Sequence, residues 1–397
     1  MTPGVVYLAN GRLFRKIGDS PVSEIDSPFA QSIRQRAFEL DRRHAWKTQG
    51  RGAQFMGRSS AALWGADRND PVEMPIFVAG LCRGAADGDL YYSIQSPEIS
   101  GILLMHDGGT EKRLLHTADF RVGALASQPG TGKLAMSVRH RGGSTIAVMD
   151  SDGAGFAEVT QGESIDESPS WSPNGENRIT FQSAGLARNQ AGSYVGTGPV
   201  SIQSLDLDSG RMTCLAEASD MDFLGPRIAA DGLLYCIRRP HRSPRRSLRP
   251  LQLIEDILLF PFRLIYAFFQ YLNLFTMMYT GKPLAKSGGP DRPHAEMQRM
   301  TIWGNLIEAR NNIVKGDTAA SLVPDSWELC IIASGRAPEI LAKGVLSFDF
   351  EPDGSIVFSD GSAIYRRKPD GEVSRLHKHA MIQQVISFGG YTAVLQS

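Results

Sequence analysis

The sequence predicts an all-β fold, a six-bladed β-propeller closed by N- and C-terminal strands, with an α-helical hydrophobic insertion in blade four. Three observations lead to this prediction. A strand, a tight turn with a glycine and a second strand recur along the chain, a further pair of short strands follows most copies, and each end of the chain supplies part of such a unit. Four strands every 40 to 50 residues or so is the period of a propeller blade.

The recurring hairpin is the first half of each predicted blade. Its glycine-centred turn favours positive φ, and the run that follows has the apolar pattern of a half-buried strand. The five copies are "CRGAADGDLYYSI" (82–94), "ALASQPGTGKLAMSV" (124–138), "SPSWSPNGENRITFQS" (168–183), "GPRIAADGLLYCIRR" (225–239) and "SFDFEPDGSIVFSD" (347–360).

The two ends of the chain are predicted to share a sixth blade. Residues 383–397, "QQVISFGGYTAVLQS", offer its first strands, and residues 4–25, "GVVYLANGRLFRKIGDSPVSEI", offer the missing outer strands. Pairing them closes the ring and leaves no open sheet edge. Two separate β-sandwiches, the alternative, would leave both ends without partners.

One stretch resembles a known family. "ESPSWSPNGENRITFQSAG" (167–185), followed by "LDLDSG" (205–210), is similar to the TolB-type repeat of six-bladed propellers, and residues 348–372 match it more loosely. The resemblance covers residues 77–240 and 325–397. It implies the fold more than the function, because such propellers serve as binding platforms, protease-associated domains and enzymes. The sequence departs from the family in lacking a signal-peptide pattern, although TolB is periplasmic, and in the long interval between the fourth and fifth hairpins.

That long interval predicts three regions: a first part of the propeller at 1–240, an insertion at 241–324 and a last part at 325–397. Both flanks of the insertion are assigned to blade four. The insertion starts with an arginine cluster and continues into a mostly apolar run at 251–279. A single membrane crossing would place parts of one ring on opposite sides of the bilayer. The sequence therefore favours a helix lying in the membrane interface.

Polar residues within the run support this interpretation. Asp256, Arg263 and Gln270 recur every seven residues, which places them on one stripe of a helix. The opposite face and the arginines are expected to contact the cytoplasmic leaflet and its anionic lipids. A buried helix packed against the propeller and a groove on a membrane-embedded protein remain as alternatives. The predicted membrane-binding residues are Arg245, Arg246, Arg249, Leu258, Leu259, Phe260, Phe262, Leu264, Ile265, Phe268, Phe269, Leu272 and Phe275.

Two other segments are predicted to be helical. Residues 27–46 form an N-terminal helix with Ser27 as its cap and Pro28 at its first position. Residues 294–316 have the pattern of a second amphipathic helix.

Composition excludes several other classes of function. The 42 basic and 42 acidic residues balance, so nothing in the overall charge indicates a nucleic-acid partner. The four cysteines include no CxxC pair, which fits reduced thiols in the cytoplasm. The chain has no GxSxG or HExxH motif, and residues 128–134 lack the Ser/Thr of a phosphate-binding loop. No cofactor is expected.

Propeller enzymes usually build their sites where loops enter the innermost strands. Carboxylates there could bind Ca²⁺ or a cationic ligand, and a carboxylate–histidine pair could act in acid–base catalysis. Acidic residues at such positions also cap turns as part of the repeat. The candidates at the channel mouth are His116, Asp119, Asp166, Glu167, Asp220, Asp222 and His377, together with Glu163 and His379.

The sequence thus favours a non-enzymatic protein-interaction platform, or an accessory subunit of a membrane complex, on the cytoplasmic face of a membrane. Its expected partners are the membrane, a membrane-embedded protein, or both. The alternative is a propeller hydrolase or lyase with its site at the mouth of the central channel.

Overall fold

A computed structural model describes residues 2–33, 35, 76–140, 142–188, 194–241, 300–302, 305–307, 321–333 and 335–391. Nearly all of their regular structure is β-strand, which confirms the all-β prediction. In these ranges helix is confined to residues 28–33 and 35.

The strands follow one another as antiparallel hairpins. Before residue 120 they are β1 (Thr2–Ala9), β2 (Arg12–Ile17), β3 (Ser23–Ile25), β4 (Phe77–Arg83), β5 (Leu90–Gln95), β6 (Ser100–Met105) and β7 (Glu111–Thr117). Up to residue 216 come β8 (Arg121–Ser127), β9 (Leu134–His140), β10 (Gly143–Met149), β11 (Ala157–Glu158), β12 (Ser164–Trp171), β13 (Arg178–Arg188), β14 (Tyr194–Thr197), β15 (Ser201–Asp206) and β16 (Met212–Ala216).

The remaining strands complete the described part of the chain. They are β17 (Met221–Ile228), β18 (Leu234–Pro240), β19 (Met300–Ile302), β20 (Asn305–Ile307), β21 (Glu328–Ile332), β22 (Glu339–Lys343), β23 (Ser347–Phe350), β24 (Ile356–Ser359), β25 (Ala363–Arg367), β26 (Val373–Lys378) and β27 (Ile382–Tyr391).

Four strands per sheet is the recurring arrangement. In the described residues, four sheets have four strands each, in the orders β4-β5-β6-β7, β17-β18-β21-β22, β23-β24-β25-β26 and β27-β1-β2-β3. A nine-stranded sheet contains β8 to β16. Within it, the series that begins with β8 and the series that begins with β12 are joined by one parallel residue pair, Ser144 with Ile165.

The first strands of these series contact one another around a centre. β8 contacts both β4 and β12, β12 contacts β17, and β27 contacts both β23 and β4. Buried apolar side chains fill the spaces between neighbouring sheets. Leu224, Ile237 and Phe348, for example, belong to one cluster that joins the β17 sheet to the β23 sheet. Four-stranded antiparallel sheets packed in a cycle around their first strands define a β-propeller.

The two ends of the described chain meet in one sheet. β1 pairs antiparallel with β27, from Thr2 opposite Tyr391 to Ala9 opposite Ile382. This is the terminal pairing that the sequence predicts, and it gives β1 and β27 a partner along their length.

The strands on either side of the long segment that follows residue 241 are also neighbours. β18 pairs with β21, with Cys236 opposite Cys330 and Arg238 opposite Glu328. Arg238 and Glu328 also form an ion pair at 2.8 Å. Because β18 ends where β21 begins, the segment leaves and rejoins a single sheet at the same end.

The predicted helices have different outcomes. Ser27 caps residues 28–33 as predicted: its Oγ accepts the backbone N–H of Ala30 at 3.1 Å. Residues 36–46 and the predicted membrane-binding run lie outside the described residues. The helix predicted at 294–316 is wrong at its centre, because β19 and β20 pair there as a hairpin. Their two-residue connection ends in Gly304, a turn residue, and Thr301, Ile302 and Ile307 are β-branched.

No helix in the described ranges combines the length and the apolar character needed to cross a membrane.

Candidate functional site at the central cavity

The strands β4, β8, β12, β17, β23 and β27 surround a central cavity of about 630 Å³. This volume lies within the range of small-molecule sites. Each of β4, β8, β12, β17, β23 and β27 contributes lining residues, so the cavity is the channel of the propeller. Its charged and amide-bearing lining residues are Arg121, Arg139, Arg227, Glu167, Asn10, Gln95, Gln383 and Gln384.

Four of these first strands are bulged where they line the cavity. The pairing register shifts between Val78 and Gly80 in β4, between Val122 and Leu125 in β8, between Glu167 and Ser170 in β12, and between Leu224 and Arg227 in β17. A β-bulge re-aims side chains and often lies beside a functional site. The repeat therefore turns the same part of each of these strands toward the channel.

Two of the bulges contain a residue with positive φ before a proline. Gly225 precedes Pro226 with φ 56°, and Ser168 precedes Pro169 with φ 53°. Glycine adopts this conformation freely, whereas a serine there carries backbone strain of about 1–2 kcal/mol. The strained member of the pair, Ser168, lines the cavity.

Ser168 and Glu167 line the cavity, and each carries a buried polar atom without a partner in the described part of the chain. Their exposed fractions are only 8% and 5%. Among the described residues, neither the Oγ of Ser168 nor the Oε2 of Glu167 has a hydrogen-bond partner. The other carboxylate oxygen of Glu167, Oε1, accepts from Arg139 at 2.5 Å. Buried polar atoms without partners are uncommon, and each one needs a physical explanation.

Arginines dominate the charge of the lining. Arg121 and Arg139 face each other across the β8–β9 pair. Arg121 donates to the carbonyl oxygens of Pro97, Ala118 and Phe120. These three acceptors are neutral, so none of these hydrogen bonds neutralises the positive charge of Arg121.

Arg227 is the third arginine of the lining, and it lies near a buried carboxylate. Its Nη1 is 3.6 Å from Oδ1 of Asp349. Burial by itself would raise the pKa of Asp349, but Arg83, Arg227 and the backbone N–H of Ser387 together hold that pKa below its ordinary value. Asp349 is therefore a carboxylate at neutral pH and offsets part of the positive charge of the two arginines beside it.

Of the residues predicted at the channel mouth, Glu167 lines the cavity. Asp166, its neighbour, is buried and accepts from Ser183 Oγ at 2.7 Å. Asp222 is also buried and accepts from Arg239 at 3.0 Å and lies 2.7 Å from Nδ1 of His241. These contacts tie the start of β17 to the end of β18, at the root of the long segment. Neither aspartate is among the cavity-lining residues.

The other candidates lie away from the cavity. Asp119 and Asp220 are exposed at the ends of loops, and His116 is exposed on β7, the outermost strand of its sheet. His377 is on another outermost strand, β26, within ring-contact distance of Tyr7 and His379. Burial, with the charges of His379 and Lys16, lowers the pKa of His377. Glu163 lies just before β12.

Tyr7 packs against both histidines from the sheet that holds the terminal strands. Burial raises the pKa of Tyr7 to about 12. Tyr7, His377 and His379 therefore form a cluster between two sheets that is separate from the cavity lining.

The candidates thus do not converge on one point. In the described part of the chain, no three His, Cys, Asp or Glu side chains are grouped so that they could hold a metal ion. The cavity offers guanidinium groups, one carboxylate, hydroxyls and amides, a set suited to binding a polar anion. Sequence reasoning missed Arg121, Arg139 and Arg227, although the Ser-Pro and Gly-Pro pairs at 168–169 and 225–226 mark matching places in two of the quoted hairpins.

Fold and site together define a β-propeller protein with a cationic central cavity. No protein-family model and no curated protein matches the chain. Solved structures do match. A chain in the crystal structure of a nidogen/laminin complex aligns with a TM-score of 0.52 and 8% identity, over 97% of this chain and 98% of that one.

Two further structures align less well. TolB from Acinetobacter baumannii gives a TM-score of 0.49 and 11% identity, over 98% of this chain and 66% of that one. The tricorn protease gives 0.45 and 11%, over 94% of this chain and 33% of that one. At these identities a likeness concerns the fold alone, and of these three alignments we rely on the first.

Proposed function

We propose that this chain is a six-bladed β-propeller that acts as a protein-interaction platform on the cytoplasmic face of a membrane, held there by the segment after residue 241. The observation that carries the proposal is the pairing of β18 with β21. The arginine-rich and apolar segment is thereby rooted at both ends in one sheet, so a single crossing of the bilayer is excluded by connectivity and attachment from one side is favoured.

The sheet orders support a count of six. The nine-stranded sheet separates into two four-stranded antiparallel series where its one parallel pair joins them, and β14 extends only β13. With the four separate sheets, this makes six series whose first strands all line the cavity. The same six units are those that the hairpin repeats and chain ends predict.

Exposed apolar side chains support an interaction surface near the segment. On outermost strands they occur in three consecutive sheets: Met212 and Leu215 on β16, Ile340 on β22, and Val373 and Leu376 on β26. The middle one of these sheets carries the segment. Outermost strands normally face water, so exposed apolar residues on the sheet that carries the segment and on both neighbouring sheets favour contact with the segment, with lipid or with a partner.

The contacts of Asp222 and His241 argue for a structural role rather than for hydrolase or lyase chemistry. Their carboxylate–histidine pair is bound to Arg239 and lies away from the cavity-lining residues. A catalytic dyad would need access to a substrate and a carboxylate not held in an ion pair.

The test compares vesicle binding by the full chain and by a variant in which residues 242–320 are replaced with a Gly/Ser linker of about ten residues, a length that spans up to about 33 Å. The full chain is expected to sediment with vesicles containing anionic phosphatidylglycerol. The linker variant is expected to remain in the supernatant and to keep the circular dichroism of the propeller, because the described residues among those replaced form only the short hairpin of β19 and β20 and no strand of the propeller sheets.

Two further variants separate lipid insertion from charge attraction. Replacement of Phe260, Phe268 and Leu272 by serine keeps every arginine and should abolish sedimentation in high salt. Replacement of Arg245, Arg246 and Arg249 by glutamine should weaken binding in low salt by about 1 kcal/mol per charge. If the full chain stays in the supernatant even in low salt, attachment to lipid is wrong.

A further inference from the structure

The cavity contains a like-charge pair that the fold does not need. Arg121 and Arg139 are directly opposite on neighbouring antiparallel strands, an arrangement that destabilises a sheet. Arg139 meets one carboxylate, on Glu167, and its side chain remains 50% exposed. Arg121 meets carbonyl oxygens. The two arginines with the one carboxylate of Glu167 leave an excess positive charge, which an anionic ligand would neutralise.

The excess extends through the cavity. Its charged lining residues are Arg121, Arg139, Arg227 and Glu167. Asp349 lies beside Arg227 and offsets part of its charge, but Arg121 has only neutral acceptors among the described residues, so the cavity keeps a net positive charge. A cationic ligand would be repelled by this set. An anionic ligand would be attracted, and it would be held more strongly in the enclosed cavity than on an open surface because fewer water molecules screen the charges.

Glu167 and Ser168 add a second requirement, which is that the ligand also carries neutral hydrogen-bonding groups. The Oε2 of Glu167 can only accept a hydrogen bond, and it lies buried beside Arg139 without a partner in the described residues. The Oγ of Ser168 is unsatisfied in the same way. A ligand hydroxyl could donate to the carboxylate, and a ligand oxygen could accept from the serine.

Backbone strain at Ser168 supports a functional reason for this residue. The matching position in β17 is Gly225, which adopts the same positive φ without a side-chain penalty. A serine that keeps a strained conformation and an unpaired buried hydroxyl stabilises nothing in the unliganded fold. Strain of this kind is typical of ligand-binding positions.

From these observations we infer that the central cavity binds a small hydroxylated phosphate ester. The phosphate lies between Arg121 and Arg139, and a hydroxyl of the same ligand donates to Oε2 of Glu167. Two guanidinium groups supply charge-assisted hydrogen-bond donors to a phosphate monoester, and the carboxylate selects for a hydroxyl donor beside it. This inference is independent of membrane attachment, because it involves none of residues 242–320.

The first test is isothermal titration calorimetry of the full chain in physiological salt, with glucose 6-phosphate and sn-glycerol 3-phosphate as probes. We expect saturable one-to-one binding with a Kd below about 1 mM. Neutral glucose and cationic glucosamine should bind at least about tenfold more weakly, since neither offers the dianion. Equal affinity for glucose and glucose 6-phosphate, or no saturable binding of either ester, would overturn the inference.

Two variants test the two halves of the site. Arg139→Gln should raise the Kd of both esters at least about tenfold, because it removes a charge-assisted bond to the phosphate. Glu167→Gln should instead reduce the preference for glucose 6-phosphate over inorganic phosphate, because the acceptor for the sugar hydroxyl has lost its charge. A Glu167→Gln variant with an unchanged preference would contradict the role assigned to the carboxylate.

Arg178→Gln is the matched control. Arg178 is similarly half-exposed and pairs with carboxylates, Glu176 at 3.1 Å and Asp206 at 3.6 Å, but it is not among the cavity-lining residues. Its Kd values should equal those of the wild type. Circular dichroism and thermal unfolding of every variant establish that it is folded. If Arg178→Gln weakens binding as much as Arg139→Gln does, the esters bind by general charge attraction and the site assignment is wrong.

The same chemistry occurs in a soluble metabolite and in a lipid headgroup, and Arg139→Gln distinguishes these sources. If the natural ligand is a headgroup, the variant should lose affinity for vesicles containing phosphatidylinositol 4-phosphate, whose headgroup carries a phosphate monoester and hydroxyls, as well as for the soluble esters. If it is a soluble ester, vesicle binding should remain at the wild-type level while ester binding is lost.

Discussion

Asp349 of β23 connects four sheets of the ring, and its replacement by alanine should be among the most destabilising single substitutions. It accepts from Arg83 at the end of β4 at 2.7 Å and from the backbone N–H of Ser387 in β27 at 2.9 Å. It also lies 3.6 Å from Arg227 of β17. One carboxylate therefore fixes the sheets beside the terminal closure relative to one another.

The magnitude follows from the contacts that would be lost. Removing one partner of a buried ion pair costs about 3–5 kcal/mol. The lower end applies here for two reasons. The Arg83 side chain is 42% exposed, so water screens part of the interaction, and Arg83 keeps its bonds to the carbonyl oxygens of Phe350 and Ser387. We expect Asp349→Ala to lower the free energy of unfolding by about 3 kcal/mol.

The assay is equilibrium urea unfolding at pH 7, followed by the fluorescence of the buried tryptophans Trp171 and Trp327. The control is Arg12→Gln, which breaks an exposed 3.5 Å pair with Glu24 and should cost less than about 1 kcal/mol. A loss below about 1 kcal/mol for Asp349→Ala would refute the reasoning that this carboxylate holds the sheets together.

The pH dependence provides an independent check on the same residue. The pKa of Asp349 is lower in the folded chain than its ordinary value of 3.8. The stabilisation is therefore fully present above about pH 4 and is lost as the pH falls through the lower folded pKa. The stability difference between wild type and Asp349→Asn should shrink below pH 4. A difference that stays constant down to acid unfolding would show that the charge of Asp349 is not its source.

Three further outcomes are expected. Ser168→Gly should raise the free energy of unfolding by about 1 kcal/mol, measured in urea, because glycine relieves the positive φ; a loss of stability would contradict the strain argument. Trp171→Phe should cost about 1–2 kcal/mol by the same assay, since the indole N–H donates to the carbonyl oxygen of Ala126 at 3.2 Å and links β12 to β8; an unchanged midpoint would count against this bond. Cys214 is exposed and should react with N-ethylmaleimide in the folded protein. Cys82 should react only on unfolding, because it is buried and burial raises its pKa to about 12. Mass spectrometry of labelled peptides checks both expectations, and equal labelling of the two cysteines would contradict the burial assignment.

The fold could be predicted because its signals repeat. Glycine turns such as those at Gly88, Gly232 and Gly354 all adopt positive φ as the hairpin pattern requires. An error in assigning one hairpin from the sequence is revealed by the other hairpins, because all of them must share one period. The hairpin of β19 and β20 belongs to no repeat. Only the helical spacing of apolar residues predicts a structure there, and that spacing indicates a helix.

The cavity was less predictable because the side-chain direction in a strand alternates at every residue. A bulge shifts this alternation by one, and nothing in the local sequence fixes its position unless a positive-φ residue marks it. Glu167 and Asp166 show the effect: adjacent in sequence, one lines the cavity and the other bonds to Ser183. His116 and His377 are at the ends of outermost strands, and a boundary error of two residues is enough to assign such a position to a loop.

The pairing of β1 with β27 has a consequence for biosynthesis. β1 can pair with β2 soon after both are synthesised, but its other edge must wait for β27, and nearly the whole described chain is translated in between. Until then the nascent propeller is an open arc with a free edge, the stage at which chaperones would have most to protect.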